Sequence, residues 1–352
     1  MKFRILNEKR NEMKTMINIT DSSSDIERYR NGRDAFAFAQ KFGCDGLELL
    51  HCAGGKEDFF LPESVVGVHL RFFSEWLDLW RGDLEALRTE YDTLEQAKKV
   101  FGGLDRSCIR KALGEDLERA KRLGAEYVVF HVSDVRDSEL FTYTFSHTDE
   151  EVIDASAELI NELLDGKEYT FYFLMENLWW PGLTMTRPEM TRRLLDQIHY
   201  PKKGIMLDTG HLMHTNLELR TEEEAIDYIL EKIKAHGEMA SCIRGIHLNQ
   251  SLTGAYVKEL LKKKDEMPKT FRERQEVCYK HVFQIDRHLP YTSGRVWEII
   301  EAVRPEYLTY ELITASREEH ERKLHQQSSL LMERGNRDVG SRSSNEERKA
   351  GK

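Results

Sequence analysis

An acid and an imidazole stand three residues apart at the end of a short apolar run, Gly204-Ile205-Met206-Leu207-Asp208-Thr209-Gly210-His211. Residues 205–207 read as a buried strand, and Gly210 as the residue that lets the chain leave it sharply. Asp208 and His211 are then an oxygen and a nitrogen donor at the strand's carboxyl end. Taken alone, Asp208 is equally well explained as a helix N-cap. The arrangement recurs, however. The apolar runs 65–70, 127–131, 170–176, 242–247 and 307–311 bring His69, His131, Glu176, His247 and Glu311 to their ends, and Asp286 and His288 follow in a loop. Crowded carboxylates repel unless something neutralises them. Divalent cations do so, and mixed Asp, Glu and His shells suit Zn, Mn, Fe or Co. A single His or Glu at a strand end more often finds an ordinary hydrogen-bond partner. Glu176, Asp208, His247 and Glu311 together point instead to a metal site. His51, His147, His214, His236, His281, His320 and His325 lack such placement and read as structural or surface residues.

Elements that could bring these residues together follow from the pattern. Strands are expected over 14–19, 46–50, 65–70, 127–131, 170–176, 205–207, 242–247 and 307–311. Helices are expected over 25–42, 149–164, 188–198, 221–236, 296–303 and 317–334. Two more are expected between residues 71 and 124, broken at Gly102-Gly103, and a long inserted helix spans 257–280. Thr221 and Glu224 have capping-box spacing, and Pro188 suits a first helical position. Strands alternating with helices predict a parallel sheet covered by helices. Eight such units in one domain predict a closed (β/α)8 barrel, which gathers the strands' carboxyl ends at one mouth. The domain is expected over 1–334. The tail 335–352 has too few apolar residues to fold and is expected to be disordered.

Composition bounds the rest. The chain has 352 residues, 40% hydrophobic and 32% charged, enough for one large domain. No apolar run approaches the roughly 20 residues that span a bilayer. The first 14 residues are charged and lack the apolar core of a secretory signal. Five scattered cysteines without a CxxC spacing read as reduced thiols, so a cytoplasmic protein is expected. A net charge of -10 weighs against a nucleic-acid surface, although a metal-lined cleft can be locally positive within an acidic protein. Nothing suggests a nucleotide cofactor or a membrane partner, and a homo-oligomer is compatible with the composition.

From about residue 14 to 330 the chain resembles the xylose isomerase-like TIM barrel superfamily, which includes sugar and sugar-phosphate isomerases and epimerases and the endonuclease IV type of nuclease. The most specific pieces are Leu207-Asp208-Thr209-Gly210-His211, Arg244-Gly245-Ile246-His247-Leu248-Asn249, Asp286-Arg287-His288 and Tyr310-Glu311. In the isomerase branch the resemblance implies one divalent ion (Mn, Co, Mg or Zn) on Glu176, Asp208, His247 and Glu311, with His211 binding substrate. In the nuclease branch it implies a three-metal cluster that also uses His69, His131, His211, Asp286 and His288.

The sequence favours the first branch: a metal-dependent isomerase or epimerase acting on a small carbohydrate through a metal-stabilised enediolate. Glu176 and Glu311 would move the proton, His211 and Arg287 would fix substrate oxygens, and Trp179 and Trp180 would wall the pocket. The alternative is an endonuclease IV-like phosphodiester hydrolase with a multinuclear zinc cluster, for which DNA would be the partner. Against the nuclease stand the bulky Leu178-Trp179-Trp180-Pro181 and a short loop after the second strand. The insertion before Asp286 also counts against it, while Tyr291-Thr292-Ser293-Gly294 departs from the pattern of both branches. The basic residues of the insertion (Lys262, Lys263, Lys264, Lys269, Arg272, Arg274) could cover a phosphate, but a solvated helix face explains them better. A metal-binding scaffold without activity ranks last, because every acid and base is present.

Overall fold

The computed structural model describes residues 13–331 apart from 53 and 264–267; the expected tail, the end of the closing helix and Lys264 lie outside the described residues. Eight strands form a closed barrel: β1 (Lys14–Thr20), β2 (Gly46–Leu50), β3 (Val65–His69), β4 (Tyr127–His131), β5 (Tyr172–Glu176), β6 (Lys203–Asp208), β7 (Ile243–Leu248) and β8 (Tyr307–Tyr310). Each pairs in parallel with the next, and β8 returns to β1. This is the expected TIM barrel. Register sets up the site: His131 pairs with Glu176 across β4 and β5, and Asp208 with His247 across β6 and β7.

Met16, Val66, Tyr127, Val129, Leu174, Met206 and Tyr307 fill the lumen below these ends. Two glycines make the filling possible. A Cβ on Gly67 would lie 2.2 Å from the Tyr127 ring, and one on Gly245 would lie 2.5 Å from Met206 Sδ. A larger apolar layer packs the outer strand faces against the helices. Each such side chain removed from water contributes about 1.5–3 kcal/mol.

Helices Asp149–Leu164, Pro188–Gln197, Glu222–Ala235 and Val296–Val303 agree with expectation, including the Thr221–Glu224 capping box. The closing helix runs over 317–331. Three expectations need correction. The helix expected over 25–42 is two, Ser23–Ile26 and Gly32–Lys41, because Asn31 is extended and its side chain accepts from Asp34 N. Residues 71–124 hold four helices rather than two: Leu77–Arg81, Leu84–Glu90, Leu94–Phe101 and Ser107–Leu123. Gly82 (φ 72°) ends the first, Asp83 and Thr93 cap the second and third, and Gly102 (φ 78°) makes the anticipated break. The insertion is also two helices, Gly254–Lys262 and Phe271–Ile285. Pro268 between them cannot continue a helix.

Candidate metal centre

Asp208 is both an N-cap and a donor of the site. Its Oδ1 accepts from His211 N at 2.6 Å, opening the helix Thr209–His214, while its Oδ2 accepts from Asn249 Nδ2 at 2.7 Å. Gly210 is needed for a reason other than a sharp exit. Its Cβ would lie 1.9 Å from Asn249 Oδ1, and its φ is not positive.

Around Asp208 the strand ends supply three groups of donors, each compact enough to share one ion: His69, His131 and Glu176; Glu176, Asp208, His247 and Glu311; and Asp208, His211 and His288. Glu176 joins the first two groups and Asp208 the last two. Asp286 completes the third, its Oδ2 lying 3.2 Å from His211 Nε2 and 2.8 Å from His288 Nε2. Glu176 lies 3.2 Å from His69 Nε2, 3.3 Å from His131 Nε2 and 3.2 Å from His247 Nδ1. Glu176, Asp208 and His247 are fully buried. All nine expected donors therefore meet in one place.

Their charges are strongly coupled. Burial opposes ionisation of Glu176, yet His247 and His131 hold it well below the usual carboxylate range. Asp286 and Glu311 are likewise lowered against burial, by His288 and His211 and by His247 and His288 respectively. Asp208 goes the other way, to about 7, through burial and the nearby Glu311 and Glu176 charges, although His211 opposes this. Against their own burial, His211 and His247 are raised by the carboxylates around them, and His288 reaches about 9.

Hydrogen bonding inside the protein leaves part of this set unsatisfied. Glu311 Oε2, Asp286 Oδ1 and His288 Nδ1 are buried without a hydrogen-bond partner. Glu311 Oε2 has His247 Nδ1 at 3.0 Å, but the bond geometry is poor. Orphaned buried acceptors are costly. Oxygen and imidazole donors with free lone pairs are what a divalent cation takes up, so the residues present fit a metal.

The donors floor a cavity of about 740 Å³, within the usual size for small-molecule sites. Trp179 and Trp180 wall it, with ring centroids 4.2 Å apart and Trp179 5.2 Å from His211. Phe72, half exposed, stacks on His131 at 4.8 Å. Tyr279 and Phe283, paired at 4.6 Å on the inserted helix, line the rim.

Residues 36–319 match the family described as xylose isomerase-like TIM barrel. The chain belongs to this family. No curated protein matches the sequence significantly. Among solved structures, a D-tagatose 3-epimerase-like protein is similar at 15% identity and TM-score 0.52, covering 93% of this chain and 100% of its own. Endonuclease IV from Thermus thermophilus is similar at 14% identity and TM-score 0.50, covering 91% of this chain and 99% of its own. At such identities the likeness is one of fold.

Two residues beside the ion-binding groups of this xylose isomerase-like barrel escape a reading of the sequence alone. Glu48, on β2, is buried and lies 2.9 Å from His247 Nε2; it accepts from Tyr127 Oη at 2.5 Å and Thr309 Oγ1 at 2.8 Å. It sits mid-strand in Gly46–Leu50, so no strand-end signal marks it. An acid within an otherwise apolar run was the available hint. His214, read as structural or surface, is in fact buried beside the site, its Nε2 3.5 Å from Asp286 Oδ1. Arg287, expected on substrate oxygens, is exposed and absent from the cavity lining. Its backbone N–H, donated to Ser251 Oγ, helps fix the Asp286-Arg287-His288 loop. Of the basic insertion residues, Arg274 is tied to Glu90 O and Asp92 rather than to the mouth. Of the other histidines, His147 binds Asp134 and Asp78, His51 binds Asp21, and His236, His281 and His320 are buried and belong to none of the ion-binding groups.

Proposed function

We propose that this protein is a multinuclear metal-dependent hydrolase of a small organic phosphoester, in chemical terms a phosphodiester. One observation carries the reading: three donor groups adjoin through two shared carboxylates, Glu176 and Asp208. Carboxylates shared by adjoining groups would let neighbouring divalent ions act together on a phosphoester. Three divalent ions would also outweigh the five carboxylates Glu48, Glu176, Asp208, Asp286 and Glu311, leaving positive charge for an anionic ester. The sequence alone favours the single-metal isomerase; the geometry moves the weight toward hydrolysis.

When bound, the cations supply Lewis acidity, activating a water and stabilising the leaving oxygen. The chain's own residues do the rest. His69 and His131 would hold one ion with Glu176, and His211, Asp286 and His288 another. His247, Asp208 and Glu311 would complete the one between. Glu48 accepts a hydrogen bond from His247 Nε2–H and so leaves the Nδ1 lone pair toward Glu176 and Glu311. Trp179, Trp180 and Phe72 shield the floor from bulk water, and the aromatic rim suits an organic substrate. Among the described residues that line the cavity, Arg28 is the single Lys or Arg, which together with the formal net charge of -10 favours a small molecule over duplex DNA.

Purified protein loaded with Zn or Mn is expected to cleave bis(p-nitrophenyl) phosphate and to leave an abasic duplex intact. Glu176→Gln should abolish cleavage. Nicking of the abasic duplex would favour the nuclease substrate. The single-metal epimerase is the second reading, because Glu176 and Glu311 lie together in the four-donor group as a proton-moving pair requires. Uptake of deuterium into a sugar by protein holding one ion, with no phosphoester cleavage, would establish it.

A further inference from the structure

We propose that His214 is a ligand of the third cation, beyond the nine donors the family resemblance supplies. The inference rests on the multinuclear reading and is argued from where the protons of this corner must lie.

His214 closes the short helix Thr209–His214, one turn beyond His211, and its side chain is 1% exposed. Its ring packs edge-on to Trp179 at 4.6 Å. Thr253 Oγ1 stands 3.4 Å from Nδ1 and 2.9 Å from Ile285 O. A hydroxyl has one proton, and the shorter contact, to a carbonyl that can only accept, takes it. Towards His214 the threonine oxygen therefore accepts, and Nδ1 carries the ring proton.

In the neutral ring Nε2 is then a bare lone pair. It faces Asp286 Oδ1 at 3.5 Å, and neither atom has a hydrogen-bond partner. Two bare lone pairs facing each other in a buried site repel, and a cation held between them relieves the cost. The spacing suits a metal ion. Two donors on one tetrahedral zinc, each about 2.0–2.1 Å from it, stand roughly 3.3 Å apart. The His211 Nε2 to Asp286 Oδ2 separation of 3.2 Å is of the same kind. Asp286 thus presents one oxygen toward His211 and His288 and the other toward His214, and the third position becomes the richest in imidazole. Borderline-soft Zn or Co would be preferred there over Mg.

The test counts ions and ligating rings rather than turnover. Elemental analysis of cobalt-loaded wild type and His214→Asn is paired with proton NMR of the same samples, in which each imidazole bound to Co gives a far-shifted exchangeable N–H signal. His199→Asn, at an exposed ring paired with Asp165, controls for mutation itself, and circular dichroism checks that the variant folds. The wild type is expected to hold three ions. His214→Asn should hold two and lose three shifted signals, those of His211, His288 and His214. Loss of the ion with only two signals would overturn ligation in favour of a positioning role. Three ions with unchanged signals would overturn any role. Fewer than three ions in the wild type would instead overturn the three-ion reading beneath it.

Discussion

Replacing Glu48 by Gln tests whether the site is built outward from its ions. Glu48 is 2% exposed and fixed by three neighbours: Tyr127 Oη at 2.5 Å, Thr309 Oγ1 at 2.8 Å and His247 Nε2 at 2.9 Å. Its contact with His247 decides which ring nitrogen keeps the proton, leaving Nδ1 free 3.2 Å from Glu176 Oε1 and 3.0 Å from Glu311 Oε2. Gln has nearly the same shape, so packing survives. Its amide, however, weakens the pull on the Nε2 proton and adds donors beside Tyr127 and Thr309, which already donate. Loss of such an outer partner typically costs 10–100-fold in metal affinity or activity, or about 1.4–2.8 kcal/mol. Competition with a chromophoric chelator at fixed pH measures the affinity, and a urea transition on the metal-free protein monitors the fold. Affinity within about twofold of wild type, far short of the expected loss, with the fold intact, would refute the idea that Glu48 sets the His247 tautomer for a metal.

Gly210→Ala should be poorly tolerated, since its Cβ would fall 1.9 Å from Asn249 Oδ1; displacing Asn249 from Asp208 is expected to cost on the order of 2 kcal/mol in urea unfolding and to weaken metal retention. His147 ties the helix Leu77–Arg81 to the segment after β4 through Asp78 and Asp134; the hydrogen bonds to Asp134 and Asp78 raise its pKa to about 9 despite burial. Its contribution is therefore fully present below about pH 6.5 and is lost as pH rises through about 9. Discounted for partial solvent screening, wild-type stability should fall over that window by on the order of 2 kcal/mol, and a His147→Gln variant should show a flatter profile. Tyr279→Ala with Phe283→Ala should raise KM for an aryl phosphoester about tenfold while kcat changes little, because both residues line the rim away from the ion-binding floor; an unchanged KM would remove the rim from substrate binding.

Much of the barrel is legible in the sequence because its signals are local. Each strand is a run of four to seven residues built on a short apolar stretch, and the helices 149–164 and 296–303 carry their periodicity in sequence. Donors at strand ends are legible for the same reason, since barrel topology brings every carboxyl end to one mouth. What the sequence hides depends on contacts between distant segments. Glu48 meets His247 across the lumen, and His214 meets Asp286 only after the insertion has folded over. The split helices are hidden by caps too weak to outweigh helical composition: Asn31 and Thr93 are ordinary polar residues until their side chains accept from Asp34 and Gln96. Arg287 stands between two donor residues in sequence yet is exposed and outside the cavity lining, in a loop where His288 adopts a φ of 44°.

The central claim is that these scattered acids and imidazoles hold several ions at once. Anomalous scattering at the zinc edge from crystals of the zinc-loaded protein tests it directly. Three peaks are predicted, one in each donor group, with Glu176 between the first two and Asp208 between the last two. A single peak on Glu176, Asp208, His247 and Glu311, or none among these residues, would contradict it.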